Sequence, residues 1–167
     1  HGDVDKTGCQ TMRLGAGALG FIADDQGKRG TEISLSIGQA LIHFSQDDLD
    51  KIVKKGTVIL ASKDVSPKGM DAQKILPGQK KDLGWVRIEG HRAYNPAKQF
   101  HPRENDWLGF VVEIGGRRIY HSGDTDIIPE MKELRSIDTA LVPVGGTYTM
   151  DPAEAAQAVS MFGPKLA

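Results

Sequence analysis

A single cysteine, Cys9, is all the thiol chemistry in these 167 residues. That excludes an intramolecular disulfide framework and a cysteine-built zinc cluster, and leaves Cys9 as a structural or incidental thiol. No apolar run approaches the roughly 18–20 residues needed to span a bilayer, and no signal-peptide pattern is visible. An excess of one charge is missing as well: 21 Lys and Arg face 22 Asp and Glu, a net charge of -1. Bulk basicity of the kind that holds nucleic acid is thereby excluded, though a local patch is not. The chain opens at His1 without an initiator Met, and a processed or cut cytoplasmic protein is the expectation. Its length suits one domain over residues 1–167 with a real core.

What is present concentrates in GFVVEIGGRRIYHSGDTD, residues 109–126. Phe110, Val111, Val112 and Ile114, then Ile119 and Tyr120, build two strands around a Gly115–Gly116 reversal. A loop bearing His121, Asp124 and Asp126 comes next, where the second strand leaves its sheet. Carboxylates held there by a rigid sheet are well placed for a metal or a catalytic water.

The first 40 residues are weakly patterned, with a Gly-rich turn into a strand at 14–23 and a short strand at 30–38. Gly15, Gly17 and Gly20 lack the lysine and Ser/Thr of a phosphate loop and read as turn and packing glycines. A strand at 39–42 leads to a helix opened by a Ser45-x-x-Asp48 capping box, with Leu49, Ile52 and Val53 on one face. Lys54 and Lys55 suit its last turn and Gly56 its stop. Residues 57–61 then form a buried strand, completing a βαβ-like unit. Residues 62–82 read as a polar surface excursion, 84–90 as a half-buried strand, and 92–106 as an irregular loop long enough to suggest function. Pro129 opens a short helix, 138–144 is a strand, and Asp151-Pro152-x-Glu154 caps a helix with Ala155, Ala158, Val159 and Phe162 inward. The last residues, 164–167, look like the start of one more strand.

His43 on a strand-to-helix turn, His101 in the long loop, and Asp124 and Asp126 after the hairpin could meet if three strand ends share one side of a sheet. Mixed His/Asp ligation with an open position suits zinc, manganese or iron in a hydrolytic site. Each residue also has a plainer reading. Histidines and loop aspartates are common on turns and surfaces, and Asp124 or Thr125 could cap the turn through its own backbone. His121 and His91 read as strand-end or supporting residues. Tyr94, Phe100 and Trp107 wall a cleft or pack the long loop. Lys98, Arg103, Arg117 and Arg118 form an anionic-substrate patch or solvate the surface.

The strings FHP, YHSGDTD and PVGGTYTM, in that order within residues 84–167, resemble the second half of a metallo-β-lactamase-fold, metal-dependent hydrolase. The likeness is nearest to the small bacterial and archaeal hydrolases distantly similar to ascorbate-phosphate lactonases. LIHFSQDDLDKIVKKGTVILASKD resembles, more loosely, the segment after that family's first metal motif. The resemblance implies an α/β fold (α+β in some schemes), a four-layered αββα sandwich with metals at one edge of its two sheets. Here that sandwich is expected to be incomplete at its C-terminal edge. It implies that Asp124 bridges two metals or binds the second, and is catalytic. His101 becomes a metal ligand from mid-chain, and His43 the last histidine of an HxHxDH motif. Beside that site, and read from the residues alone, His121, Asp126, Thr147 and Tyr148 are candidates for supporting or substrate-contacting groups. The cofactor implied is zinc, two ions in a complete protein, with manganese or iron as alternatives.

The chain departs from the family before His43, where Gln39-Ala40-Leu41-Ile42 carries neither the other two histidines nor the aspartate. A rival frame, His1-Gly2-Asp3-Val4-Asp5-Lys6, places Asp3 and Lys6 where histidines belong and lies far from the helix at 45. The family's final histidine would fall just past Ala167. The expected activity is attack by a metal-activated water on a small ester, lactone or phosphoester. The alternatives are a catalytically inactive binding or interaction domain, and a nuclease or phosphodiesterase. Expected partners are a small-molecule substrate, with no membrane, nucleic acid disfavoured and a homo-oligomer left open.

Overall fold

The computed structural model describes residues 11–15, 18–22, 32–36, 46–54 and 56–167. The chain divides into two compact units, His1–Lys74 and Ile75–Ala167. Among the described residues, no helix is long and apolar enough to cross a membrane.

The first unit holds a five-stranded sheet of β1 (Thr11–Gly15), β2 (Ala18–Ile22), β3 (Glu32–Ser36), β4 (Val58–Ala61) and β5 (Ala72–Lys74), in that order. The first three strands pair antiparallel, as their short connections allow. β3 and β4 run parallel, with helix α1 (Gln46–Ile52) in the connection that parallel pairing requires. This is a βαβ unit. Its described first strand is 32–36; the strand expected at 39–42 and the Ser45 cap lie outside the described residues. Leu49 is buried on α1, which ends at Ile52 with Lys51 in its last turn. Lys54 therefore lies beyond the helix, and Gly56, at φ 95°, belongs to a following turn in which Thr57 N–H donates to the Lys54 carbonyl at 3.0 Å. Ile59, Leu60 and Ala61 make β4 a buried strand.

The polar stretch 62–82 is more ordered than its composition suggests. It carries β5 and the next strand, β6 (Lys80–Asp82), and fully buries Val65 and Ile75. Strands of three residues show no readable alternation, so only the isolated apolar residues marked them.

In the second unit, β6, β7 (Val86–Arg92), β8 (Leu108–Ile114) and β9 (Arg117–His121) form an antiparallel meander. β10 (Thr139–Leu141) adds parallel to β9, with Thr139 opposite Ile119 and Leu141 opposite His121. The β8–β9 reversal has Gly115 at φ 54° and Gly116 at φ 72°, the paired positive values of a tight hairpin. On one face of the sheet Val111 and Tyr120 join Ile128, Met131, Leu134, Ile137, Ala140 and Met150 in a core. Helix α2 (Pro152–Phe162) closes that core with Ala155 and Ala158, and Phe162 meets Tyr120 edge-on at 5.6 Å. The expected capping box is present: Glu154 N–H donates to Asp151 Oδ1 at 2.8 Å, and Asp151 N–H to Glu154 Oε2 at 2.9 Å.

The strand expected at 138–144 is regular only over Thr139–Leu141. Pro143 cannot donate to a ladder, and the glycine pair after it favours a turn. The extra strand expected at 164–167 takes the form of a parallel bridge from Leu166 to Thr139. Toward β6 the outer surface carries a charge ladder: Lys80–Glu89 at 3.2 Å, Arg87–Asp82 at 3.1 Å and Arg118–Glu113 at 3.1 Å.

Candidate metal centre

Three loops of the second unit meet, each leaving a strand of its sheet: residues 93–107 after β7, 122–128 after β9 and 142–151 after β10. The first carries His101, the second Asp124 and Asp126, the third Thr147 and Tyr148. His101 is 2% exposed, and its Nε2 stands 3.9 Å from Asp124 Oδ2. Trp107 meets the imidazole edge-on at 5.1 Å. The Asn95 N–H donates to the His101 carbonyl at 2.8 Å, closing the intervening residues into a compact loop. The structure therefore brings together two of the three ligands expected from the sequence, His101 and Asp124. His43 lies outside the described residues, as does Cys9.

Asp124 is presented by a loop fixed on both sides. Before it, Gly123 takes φ 66°, and its N–H donates to His121 Nδ1 at 3.1 Å. That bond makes Nδ1 the acceptor, so the proton of a neutral His121 belongs on Nε2. After Asp124, the fully buried Thr125 hydroxyl accepts from Tyr94 N–H at 3.2 Å and lies 3.0 Å from the Tyr94 carbonyl. Asp126 N–H donates to the same carbonyl at 3.1 Å. The Asp126 carboxylate is held by the Lys98 ammonium at 2.6 Å, and that ammonium also donates to the Thr149 carbonyl at 2.8 Å. Asp126 is thus a loop anchor. Tyr148 is exposed, with its carbonyl accepting from Asn95 Nδ2 at 3.2 Å and its ring edge-on to exposed Phe100 at 5.1 Å. Thr147 is exposed beside it.

Behind these loops, Tyr94 packs in the core and donates to Glu130 Oε2 at 3.0 Å, while Arg103 reaches Glu130 Oε1 at 3.0 Å. Burial works against an ionised Glu130. Hydrogen bonds from its own backbone, Arg103 and Tyr94 outweigh burial and hold its pKa below the ordinary value. Burial, then the Glu130 contact, raises the Tyr94 pKa. His91 is a packing residue, 3.2 Å from the Glu130 carbonyl and edge-on to Tyr120 at 5.4 Å. The four cations of the suggested anionic-substrate patch, Lys98, Arg103, Arg117 and Arg118, are all ion-paired. They pair with Asp126, Glu130, Asp138 and Glu113 respectively.

Lys98 and Thr125 are the anchors that sequence reasoning undervalued. A lysine in a polar loop reads as solvated, and nothing local to NPAKQFHP names a carboxylate 28 residues later as its partner.

The donor set fits part of a divalent-metal site. An imidazole nitrogen and a carboxylate oxygen are the ligand types of hydrolytic zinc, and about 3.4 Å separates two tetrahedral donors on one ion. The observed 3.9 Å is within a small side-chain rotation of that. Among the described residues, no group of three or more His, Cys, Asp or Glu converges, so these residues supply a pair of donors and not a full shell.

The profile of the Beta-lactamase superfamily domain matches residues 38–167, and the chain belongs to that superfamily. Within it, the chain is similar to the UPF0173 metal-dependent hydrolases. One from Symbiobacterium thermophilum is 40% identical over 102 residues, 57% of this chain and 43% of the relative. Another, from Alkaliphilus metalliredigens, is 48% identical over 61 residues, 35% of this chain and 27% of the relative. The matched part is therefore under half the length of these relatives. Among solved structures, a Parabacteroides distasonis protein provisionally described as a metal-dependent hydrolase superposes with TM-score 0.81 and 27% identity, over 94% of this chain and 80% of that one. The metallo-beta-lactamase fold protein YhfI of Bacillus subtilis shares the fold, at TM-score 0.60 and 10% identity over 89% of this chain and 77% of that one. The fold class is the mixed α/β, metallo-β-lactamase-like αββα type, as expected from the sequence.

Proposed function

We propose that this chain forms a metal-dependent hydrolase, a single metallo-β-lactamase-like domain acting on a small ester, lactone or phosphoester. The observation that carries the reading is the His101–Asp124 pair, 3.9 Å apart on two mutually anchored loops. His101 and Asp124 would hold the metal, with His43 completing one half of the site. Zinc is the proposed ion, two in a complete protein, with manganese or iron as alternatives. When bound, such an ion supplies Lewis acidity and lowers the pKa of water toward neutrality.

The chain's own residues do the positioning. Trp107 and the Asn95–His101 backbone bond orient the imidazole. The Thr125 and Asp126 anchors aim the Asp124 carboxylate, and His121 braces the Gly123 turn. Thr147 and Tyr148 are exposed on the adjoining loop and are proposed to touch substrate. Ion-pairing of the nearby cations supports a small molecule over nucleic acid. The order of FHP, YHSGDTD and PVGGTYTM supports the narrower kinship with hydrolases similar to ascorbate-phosphate lactonases, and a cytoplasmic location is proposed with it.

The test is metal content and turnover of the freshly purified protein on a panel of small esters, lactones and phosphoesters with zinc or manganese. Asp124→Asn should strip most of the bound metal and the turnover with it. Unchanged metal content and unchanged hydrolysis would remove the proposed role. Cleavage of oligonucleotides alone would reverse the substrate class, and a folded protein that neither holds metal nor turns over substrate is the inactive binding domain.

A further inference from the structure

We infer that Lys98 is a positioning residue for the Asp124 carboxylate, setting its separation from His101. The inference rests on the hydrolase reading and concerns a side chain whose ammonium is bonded to Asp126 and to the Thr149 carbonyl. Lys98 lies three residues before His101 in the same loop. Its ammonium reaches Asp126 Oδ1 at 2.6 Å, two residues beyond Asp124, and the Thr149 carbonyl at 2.8 Å in the third loop. One side chain thereby couples all three loops of the centre.

The coupling is strong enough to matter because the pair is largely withdrawn from water, the Lys98 side chain being 26% exposed and that of Asp126 13%. Ion pairs so placed are screened less than surface pairs, and removing one partner leaves the other charge buried without compensation. On the other side of Asp124 stands Gly123 at φ 66°, held by its N–H bond to His121 Nδ1 at 3.1 Å. The direction of the Asp124 carboxylate is therefore set by anchors on both sides, and Lys98 belongs to the one that also ties in the third loop. Thr125 pins the backbone to Tyr94, and Lys98 pins the next side chain. Without the ammonium, the Asp126 carboxylate and the Thr149 carbonyl lose their shared donor, and the loops that present His101 and Asp124 are tied together less tightly.

The zinc dissociation constant of the full chain, measured by competition with a chromophoric chelator, tests this alongside the thermal midpoint. Lys98→Met should weaken zinc binding by about 10-fold or more, the scale on which groups supporting metal ligands act. Lys98→Arg should recover most of that loss, since the guanidinium can reach the same carboxylate. Asp138→Asn, which removes a charged contact at the base of β10, should lower the midpoint and leave zinc affinity unchanged, separating positioning from general destabilisation. Where Lys98→Met does not fold, Lys98→Gln keeps a donor for the Thr149 carbonyl and serves in its place. Zinc affinity of Lys98→Met equal to that of the unsubstituted protein overturns the Lys98 role alone. Zinc binding that is absent, or that is the same in Asp124→Asn, overturns the hydrolase reading and the Lys98 role together.

Discussion

Gly109 in β8 passes so close to Ser122 that a Cβ there would stand 2.5 Å from the Ser122 carbonyl oxygen. The chain leaving β9 folds directly over β8 at this point, and this contact begins the turn that presents Asp124. Because the obstructing atoms are backbone, the neighbour cannot swing aside as a flexible side chain would. Gly109→Ala is therefore expected to lift residues 121–124 from the sheet and to destabilise the protein by about 1–3 kcal/mol, the range for overpacked interiors. Chemical denaturation gives the stability change. Faster amide exchange at Ser122 and Gly123, with β7 and β8 still protected, locates it. Unaltered exchange and stability would show that the loop has room the structure does not display.

Tyr120 offers the opposite sign. Its ring is fully buried, and among the described residues its hydroxyl has no hydrogen-bond partner. Burial pushes its pKa upward, because the phenolate would lie in a medium that cannot solvate it. An unsatisfied buried hydroxyl opposes folding by about 1–3 kcal/mol. Tyr120→Phe should leave the protein as stable or more stable, read as an equal or higher urea midpoint with unchanged slope. A clear loss of stability would mean the hydroxyl has a partner.

Asp138 governs behaviour in acid. Lys165 Nζ lies 2.7 Å from its Oδ1, and the Arg118 N–H donates to Oδ2 at 2.8 Å. The Lys165 contact, then the Arg118 backbone bond, hold its pKa at about 2, against an ordinary 3.8. A folded value below the unfolded one favours the native state while the carboxylate is ionised. That contribution is complete above about pH 4 and is lost as pH falls from 4 to 2. Asp138→Asn should therefore narrow its stability gap from the unsubstituted protein across that window. Because Lys165 is 74% exposed, added salt should shrink the gap at neutral pH. A gap that is flat from pH 6 to pH 2 would contradict the assignment.

The parts of this molecule legible from its sequence are those whose signals are local. Gly115–Gly116 between two β-branched runs announced the β8–β9 hairpin, and Asp151-Pro152-x-Glu154 announced α2, because turn and cap chemistry are settled within a few residues. His101 and Asp124 were candidates by residue type and position, a family resemblance singled them out as ligands, and the structure brings them to 3.9 Å. The features that stayed hidden were set by chain topology. That Lys98 pairs with Asp126 and Thr125 bonds to Tyr94 depends on where β7 and β9 deliver their loops. The short strands β5 and β6 were hidden for another reason: three residues cannot establish a period of two.

The sheet of the second unit ends at β6, a strand of only three residues reading Lys80-Lys81-Asp82. An extended segment from another molecule approaching that rim would gain few ladder bonds and would have to strip water from ammonium and carboxylate groups to make them. Brevity and charge together blunt a border that could otherwise template fibre growth. The same polarity that disguised this segment as a loop is what keeps its rim from recruiting a stranger's backbone.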